Sequence, residues 1–167
     1  EMLYGNIKPV DMIDLCIRAL KTENDILNIQ RILSRLNSIF WNFLSENQRS
    51  TKANQLESIL RLHMNEATTI TNRSMYFRSL RSITITDNGY HWLKSIWMKN
   101  DSIKGLTLSE RDYIAIASEL ALRDKKDSQQ ILDSQLNQIS NPDRKSRFKF
   151  IMASLSNDLD VRDNFFE

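Results

Sequence analysis

Three arginines lie close together in the chain and are its best candidates for chemistry. Arg73, Arg78 and Arg81 are interleaved with Tyr76 and Phe77, and residues four apart lie on one face if this segment is a helix. The planar guanidinium of arginine can bind a carboxylate through two parallel hydrogen bonds. The cluster is therefore a candidate anion-binding site, with a solvated helix face as the alternative.

The histidines do not have the spacing of a zinc site. His63 and His91 are the only two in the chain, and an H-E-x-x-H zinc helix needs two histidines four residues apart. His63 and Glu66 share one helix face, but two ligands do not complete a zinc site. We interpret both histidines as structural residues and expect no metal and no cofactor in these residues.

No nucleophile has a visible activating partner. Cys16 has no histidine near it in sequence and is expected to pack as a small core residue. There is no glycine-rich loop that could bind a phosphate. Asp158 and Asp160 lie where a helix is expected to begin, so we interpret them as capping residues. We predict no catalytic residue in this chain.

The composition excludes several classes of protein. Gly occurs 3 times and Pro 2 times in 167 residues, which favours helices over the turn-rich β folds. The net charge of +2 argues against a nucleic-acid partner. No apolar run approaches the roughly 20 residues of a membrane-spanning helix, so no membrane span is expected. The compartment, cytoplasm or cell envelope, stays undecided.

Helices are predicted from the period of the apolar residues and from capping signals. Between residues 24 and 44, apolar side chains recur at three- and four-residue steps, which indicates an amphipathic helix. Thr22 with Asp25 resembles a capping box before this helix, and Ser45 repeats the signal before the next. Further starts are predicted at Ser109 and at Asn141, where proline follows at the first helical position.

Taken in order, the helices predict repeated pairs at residues 9–44, 46–83, 87–123 and 128–155. This spacing is close to the roughly 40-residue period of HEAT-like arrays. We therefore predict an all-α fold, a HEAT-like or ARM-like superhelix of about four antiparallel helix pairs. Residues 82–86 alternate like a strand but have no partner run, so we predict a helix end and a loop there.

The whole chain, residues 1–167, is predicted to be one helical-repeat domain. The first residues lack an initiator methionine and a signal peptide. The last residues carry two large aromatic side chains, Phe165 and Phe166, which would be costly to leave exposed. We expect the chain to be a fragment of a longer protein.

Several stretches of the second half carry a family resemblance. They are residues 76–83 (YFRSLRSI), 92–97 (WLKSIW), 108–113 (LSERDY), 119–123 (ELALR), 141–148 (NPDRKSRF) and 162–166 (RDNFF). Read together, they resemble the C-terminal helical domain of bacterial zinc aminopeptidases of the aminopeptidase N type. Ala153 departs from this pattern, since relatives often carry proline there, and the first half matches in helical pattern alone.

The resemblance implies a non-catalytic role for this chain. The zinc-binding helix would lie in a preceding catalytic domain of the same polypeptide, so the expected partners are that domain and a peptide substrate. The helical domain would cap the catalytic domain and shape the chamber that peptides enter. On this reading, Arg78 and Arg81 are expected to attract the carboxylate end of a peptide. The alternative is a free-standing helical-repeat scaffold that binds another protein.

Overall fold

The computed structural model describes residues 6–123, 126–156 and 159–165, and these contain helices and no strand. The prediction of an all-α fold is therefore confirmed. Asp158 and Phe166 lie outside the described residues. The helices are α1 (Pro9–Leu20), α2 (Ile26–Asn42), α3 (Glu46–Glu66), α4 (Ile70–Ile83), α5 (Asp87–Trp97), α6 (Glu110–Arg123), α7 (Ser128–Gln138), α8 (Pro142–Ile151), a 3₁₀ turn (Ala153–Leu155) and α9 (Leu159–Asp163).

Three of the predicted helix starts are confirmed by their hydrogen bonds. Ser45 forms a complete capping box with Gln48 at the start of α3. At the start of α6, the amide of Ser109 donates to the carboxylate of Asp112 over 2.9 Å. Asn141 accepts from the amide of Arg144 at the start of α8. Each side chain satisfies backbone donors that the first helical turn leaves free.

The predicted cap of α2 is wrong. Asp25, and not Thr22, is the N-cap, because its Oδ1 accepts from the amides of Leu27 and Asn28 over 2.9 and 3.0 Å. The Glu23 carboxylate meanwhile accepts from the amides of Asn24 and Asp25. The chain between α1 and α2 is therefore held as a turn, and α2 begins at Ile26 rather than Asn24.

Two further expectations concern helix ends. Residues 82–86 are a helix end and a loop as predicted, since α4 ends at Ile83 and α5 begins at Asp87. The last predicted helix was expected to continue to Leu155, but α8 ends at Ile151 and a separate 3₁₀ turn follows. Only Phe148 of α8 is buried, while Ile151 is 38% exposed.

The chain forms two compact units. The first comprises residues 1–89 and 104–106. In it α2 packs against α1 and α4, and α3 packs against α4. The two helices of the first predicted pair are therefore in contact with each other, and so are the two helices of the second. The fully buried side chains of this unit come from all four helices and include Ile13, Leu36, Phe40, Leu56, Leu60, Phe77, Leu80 and Ile83.

The second unit comprises residues 90–103 and 107–167. Here α6 packs chiefly against α7, so the pairing of α5 with α6 expected from the sequence is not its main contact. Its core includes Leu93, Ile96, Ile116, Ala117, Leu120, Leu132 and Phe148. No helix in the described ranges is long and apolar enough to cross a membrane. The superhelix and the single domain over residues 1–167 stay predictions.

Candidate functional site

Arg73 does not contribute a free cation to the predicted arginine cluster. Its guanidinium donates to the carbonyl oxygens of Met64, Ala67 and Gly105, over 3.2, 2.6 and 3.3 Å. Carbonyls at the end of α3 lack helical partners, and an arginine there satisfies them. Gly105 has a φ of 73°, and a Cβ on it would lie 2.2 Å from Nη1 of Arg73. The role of Arg73 is therefore structural.

Arg78 lies on α4 at a small groove shared with α2. The groove has a volume of about 190 Å³ and is lined by Gln30, Leu33, Asn37, Met75, Arg78 and Ser79. Arg78 is exposed, and no described residue forms an ion pair with it. Asn37 donates to the hydroxyl of Ser79 over 3.2 Å, and its Oδ1 is buried without a hydrogen-bond partner among the described residues.

Arg81 is placed differently from Arg78. It is half-buried, and its guanidinium carbon lies 5.9 Å from the centre of the Phe77 ring one turn earlier on α4. A cation over an aromatic face is held by the ring quadrupole. Of the two arginines expected to bind a carboxylate, Arg78 has the groove, and Arg81 is held against its own helix.

His63 lines a polar cavity of unit 1. The imidazole is half-buried and stacks on the Tyr76 ring, with the centroids 5.4 Å apart and 17° between the planes. The cavity has a volume of about 460 Å³ and includes Glu66 and Asn72. Burial raises the pKa of the Tyr76 hydroxyl. The described residues contain no group of three or more side chains that could hold a metal ion.

Cys16 is buried and His91 is exposed. Cys16 is 7% exposed, as the prediction of a core cysteine required. Burial raises the pKa of its thiol, and the nearby Arg35 opposes this in part. His91 is exposed and meets the edge of the Tyr90 ring at 5.7 Å.

A buried carboxylate of α3 is the polar feature that the sequence reasoning missed. Glu57 is 5% exposed and accepts from the amides of Ile85 and Thr86 over 2.9 and 3.0 Å. It also accepts from the Thr86 hydroxyl over 2.6 Å, and that hydroxyl in turn accepts from the amide of Gly89. An acid between Ala53 and Leu60 on the apolar stripe of α3 was the signal that could have found it.

Unit 2 has an apolar groove of about 370 Å³. Its apolar lining comes from Trp97, Met98 and Ile131, and Lys94 and Asp127 form an ion pair of 3.1 Å at its side. Trp97 is 8% exposed and donates to Gln135 over 2.7 Å, whereas Met98 is 55% exposed. Trp97 therefore belongs to the core of unit 2, whereas Met98, which follows the end of α5, does not.

No protein-family model, curated protein or solved structure matches this chain. Its function is therefore inferred from its own residues, namely the motifs of the second half and the placement of Arg78. Among the described side chains, Arg78 has a charge without an ion-pair partner and lies at a groove. Of the predicted site residues it is therefore the best placed to bind a ligand.

Proposed function

We propose that this chain is the non-catalytic, C-terminal helical domain of a zinc aminopeptidase of the aminopeptidase N type. In this role it caps the catalytic domain of the same polypeptide and shapes the chamber through which peptides reach the zinc. The observation that carries the proposal is the set of motifs in residues 76–166. They support the family, and the zinc belongs to the catalytic domain.

The all-helical structure is compatible with such a role. The motif at residues 76–83 forms the second half of α4, and the motif at residues 92–97 forms the second half of α5. The motifs that begin with Leu108 and Asn141 open α6 and α8, where Ser109 and Asn141 act as caps. These motifs thus lie in α4, in the second half of α5 and at the starts of α6 and α8, and α4 carries both candidate arginines.

Arg78 is the residue that we propose for contact with the peptide. Its guanidinium is exposed at a groove whose wall also offers the side-chain amide of Gln30. A carboxylate at Arg78 could accept two hydrogen bonds from the guanidinium while the Gln30 amide binds the peptide backbone. Arg81 would add positive potential from its position over Phe77 and is proposed as the weaker contributor.

The test is a kinetic comparison in the full-length enzyme. Arg78→Gln should lower kcat/KM for long peptides with a free carboxyl terminus by about threefold to tenfold, as expected for one partly solvated ion pair. Amidated peptides and a single-residue reporter substrate should change little, because neither offers the terminal carboxylate. Arg111→Gln, which removes an exposed charge from α6, is the matched control.

Two outcomes would count against the proposal. An Arg78→Gln enzyme with unchanged kinetics on all long peptides would remove Arg78 from substrate binding. A parent gene without H-E-x-x-H and its downstream glutamate ahead of Glu1 would remove the aminopeptidase assignment itself.

The second candidate is a free-standing helical scaffold that binds another protein. The observation in its favour is the apolar groove of unit 2, where Met98 is 55% exposed beside Trp97 and Ile131. Exposed apolar side chains next to a groove are typical of protein-binding surfaces. The parent gene separates the two candidates, because a scaffold requires no metallopeptidase domain upstream.

A further inference from the structure

The charges of this chain are distributed unevenly between its helices. The whole chain has a net charge of +2, with 23 basic and 21 acidic residues. Helices α2 and α4, which pack against each other, carry five arginines and no Asp, Glu or Lys. The near-neutral total therefore hides a strongly basic pair of helices in unit 1.

Three of these arginines are exposed and unpaired within the described residues. Arg73 donates to backbone carbonyls and Arg81 lies over Phe77, so neither is counted here. Arg31 and Arg35 on α2 and Arg78 on α4 are exposed, and none of them enters an ion pair with a described residue. We call Arg31, Arg35 and Arg78 the α2–α4 arginine surface.

Two neighbouring grooves join these arginines. One, of about 550 Å³, is lined entirely by α2, through Leu27, Gln30, Arg31, Ser34, Arg35 and Ser38. The other is the groove at Arg78, and Gln30 lines both. The surface thus alternates guanidinium groups with hydroxyl and amide groups.

The carboxylates of Asp25 and Asp14 in unit 1 have other partners. Asp25, just before α2, uses its Oδ1 to cap the first turn of that helix. Asp14 of α1 forms an ion pair of 2.7 Å with Lys52 of α3. Neither carboxylate forms an ion pair with the α2–α4 arginine surface, so its positive charge is available to a ligand.

We propose that the α2–α4 arginine surface binds an acidic polypeptide segment through the carboxylates of its side chains. Arginine clusters recognise acidic motifs because each guanidinium can hold a carboxylate with two hydrogen bonds. Arg31 and Arg35 are four residues apart on α2, about 6 Å along the helix axis. Alternate side chains of an extended peptide are about 6.6–6.8 Å apart, a difference that flexible arginine side chains can span.

The make-up of the surface favours a peptide over a nucleic acid. Leu27 is 58% exposed at one end, and Leu33 and Met75 line the groove at Arg78, so apolar side chains of a peptide would also find contacts. Single-stranded nucleic acids bind on exposed aromatic rings, and the described residues that line the two grooves include no aromatic side chain. The inference shares Arg78 with the aminopeptidase proposal but does not depend on it, because it requires no catalytic domain.

The test measures binding of blocked peptides to this chain. The probe is an N-acetylated, C-amidated peptide of alternating glutamate and alanine, which has no terminal carboxylate, and the same peptide with glutamine is the reference. We expect the glutamate peptide to bind and the affinity to fall with added salt. Arg31→Gln with Arg35→Gln should weaken binding about fivefold, as two exposed ion pairs allow.

Matched variants and a second probe make the test decisive. Arg111→Gln with Arg147→Gln removes the same charge from exposed positions of unit 2 and should leave the affinity unchanged. Equal binding of the glutamate and glutamine peptides, or an equal loss in this control, would overturn the inference. A single-stranded oligonucleotide of the same charge that binds more tightly than the peptide would also overturn it. Because the probe is amidated, these outcomes leave the proposal for the terminal carboxylate at Arg78 separately testable.

Discussion

Glu57 in unit 1 and Glu110 in unit 2 perform the same task in different surroundings. Each carboxylate accepts hydrogen bonds from the residues that precede a later helix. Glu57 holds Ile85 and Thr86 before α5, and Glu110 holds Ser140 before α8. Each also joins parts of the chain that are about thirty residues apart, which places the start of a helix against an earlier one.

The two carboxylates differ in burial and in their partners. Glu57 is 5% exposed, and the three hydrogen bonds that it receives from described residues come from uncharged donors. The Glu110 side chain is 19% exposed and also pairs with Arg144 over 2.8 Å. A buried donor that loses its acceptor cannot turn to water, whereas a donor at the surface can. Similar geometry should therefore contribute more to stability in unit 1.

The largest effect is expected from removing the Glu57 carboxylate. Glu57→Ala leaves the amides of Ile85 and Thr86 and the Thr86 hydroxyl without their acceptor. It also leaves a cavity in place of the buried carboxylate. We expect the free energy of unfolding to fall by about 3–5 kcal/mol. Urea unfolding followed by circular dichroism measures this loss, and hydrogen exchange should accelerate at the amides of Ile85 and Thr86.

Two further variants test whether the loss is specific. Glu57→Gln keeps the size and one carbonyl acceptor and should cost less than Glu57→Ala. Glu66→Ala, at an exposed position of the same helix, should change stability by no more than about 0.5 kcal/mol. If the Glu57→Ala protein were as stable as the Glu66→Ala protein, the burial of Glu57 would not make its carboxylate important for stability.

Gly89→Ala is the next largest effect expected. A Cβ at this position would lie 2.2 Å from Oε2 of Glu57 and 2.6 Å from Cγ2 of Thr84. We expect this crowding to lower the free energy of unfolding by about 1–3 kcal/mol. At an unconstrained helix position the same change would raise the free energy of unfolding by roughly 1 kcal/mol. Asn88→Ala, at the exposed neighbour, should be neutral or slightly stabilising.

A double-mutant cycle shows whether Glu57 is the cause. In the Glu57→Ala background the nearest obstacle is gone, so Gly89→Ala should cost less than it does in the original chain. Additive losses in the double mutant would mean that Thr84, and not the carboxylate, sets the requirement for glycine.

The helices could be predicted from the sequence because their signals are local. The stripe of α2 and the caps at Ser45, Ser109 and Asn141 depend on residues within one or two turns. The cap of α2 was mispredicted because Thr22, Glu23 and Asp25 all offer oxygen acceptors there. Asp25 is the cap because its side-chain oxygen lies close to the amides of the first turn, and the sequence alone does not give these positions.

The polar contacts between distant residues could not be predicted in the same way. Glu57 meets Ile85 across 28 residues, and Arg73 meets Gly105 across 32. Arg73 and Arg78 have the same side chain on the same helix. Only the carbonyl groups around Arg73 distinguish it, as a structural arginine, from Arg78, which is a candidate for binding a ligand. The exposure of Met98 depends on where α5 ends, which is the least predictable part of a helix.

The smallest effect, and the one that tests the surface half of the comparison, is the acid titration of Glu110. The hydroxyl of Ser140, then its amide and then Arg144 lower the pKa of Glu110 from 4.5 to about 2. A carboxyl whose pKa is lower in the folded chain stabilises the fold above its unfolded value, and this contribution is lost as the pH falls. We therefore expect the contribution of Glu110 to be complete at neutral pH and to disappear between about pH 4.5 and pH 2.

Glu110→Gln removes the titrating group and serves as the measurement. This variant should be less stable than the original chain at neutral pH, and urea midpoints of the two should converge as the pH approaches 2. Arg144→Gln should keep most of the acid dependence, since the two donors of Ser140 lower the pKa more than the arginine does. Parallel curves for the original chain and Glu110→Gln over this range would mean that solvent, and not Ser140, satisfies the carboxylate, which would leave Glu57 as the only one of the two that fixes a helix start.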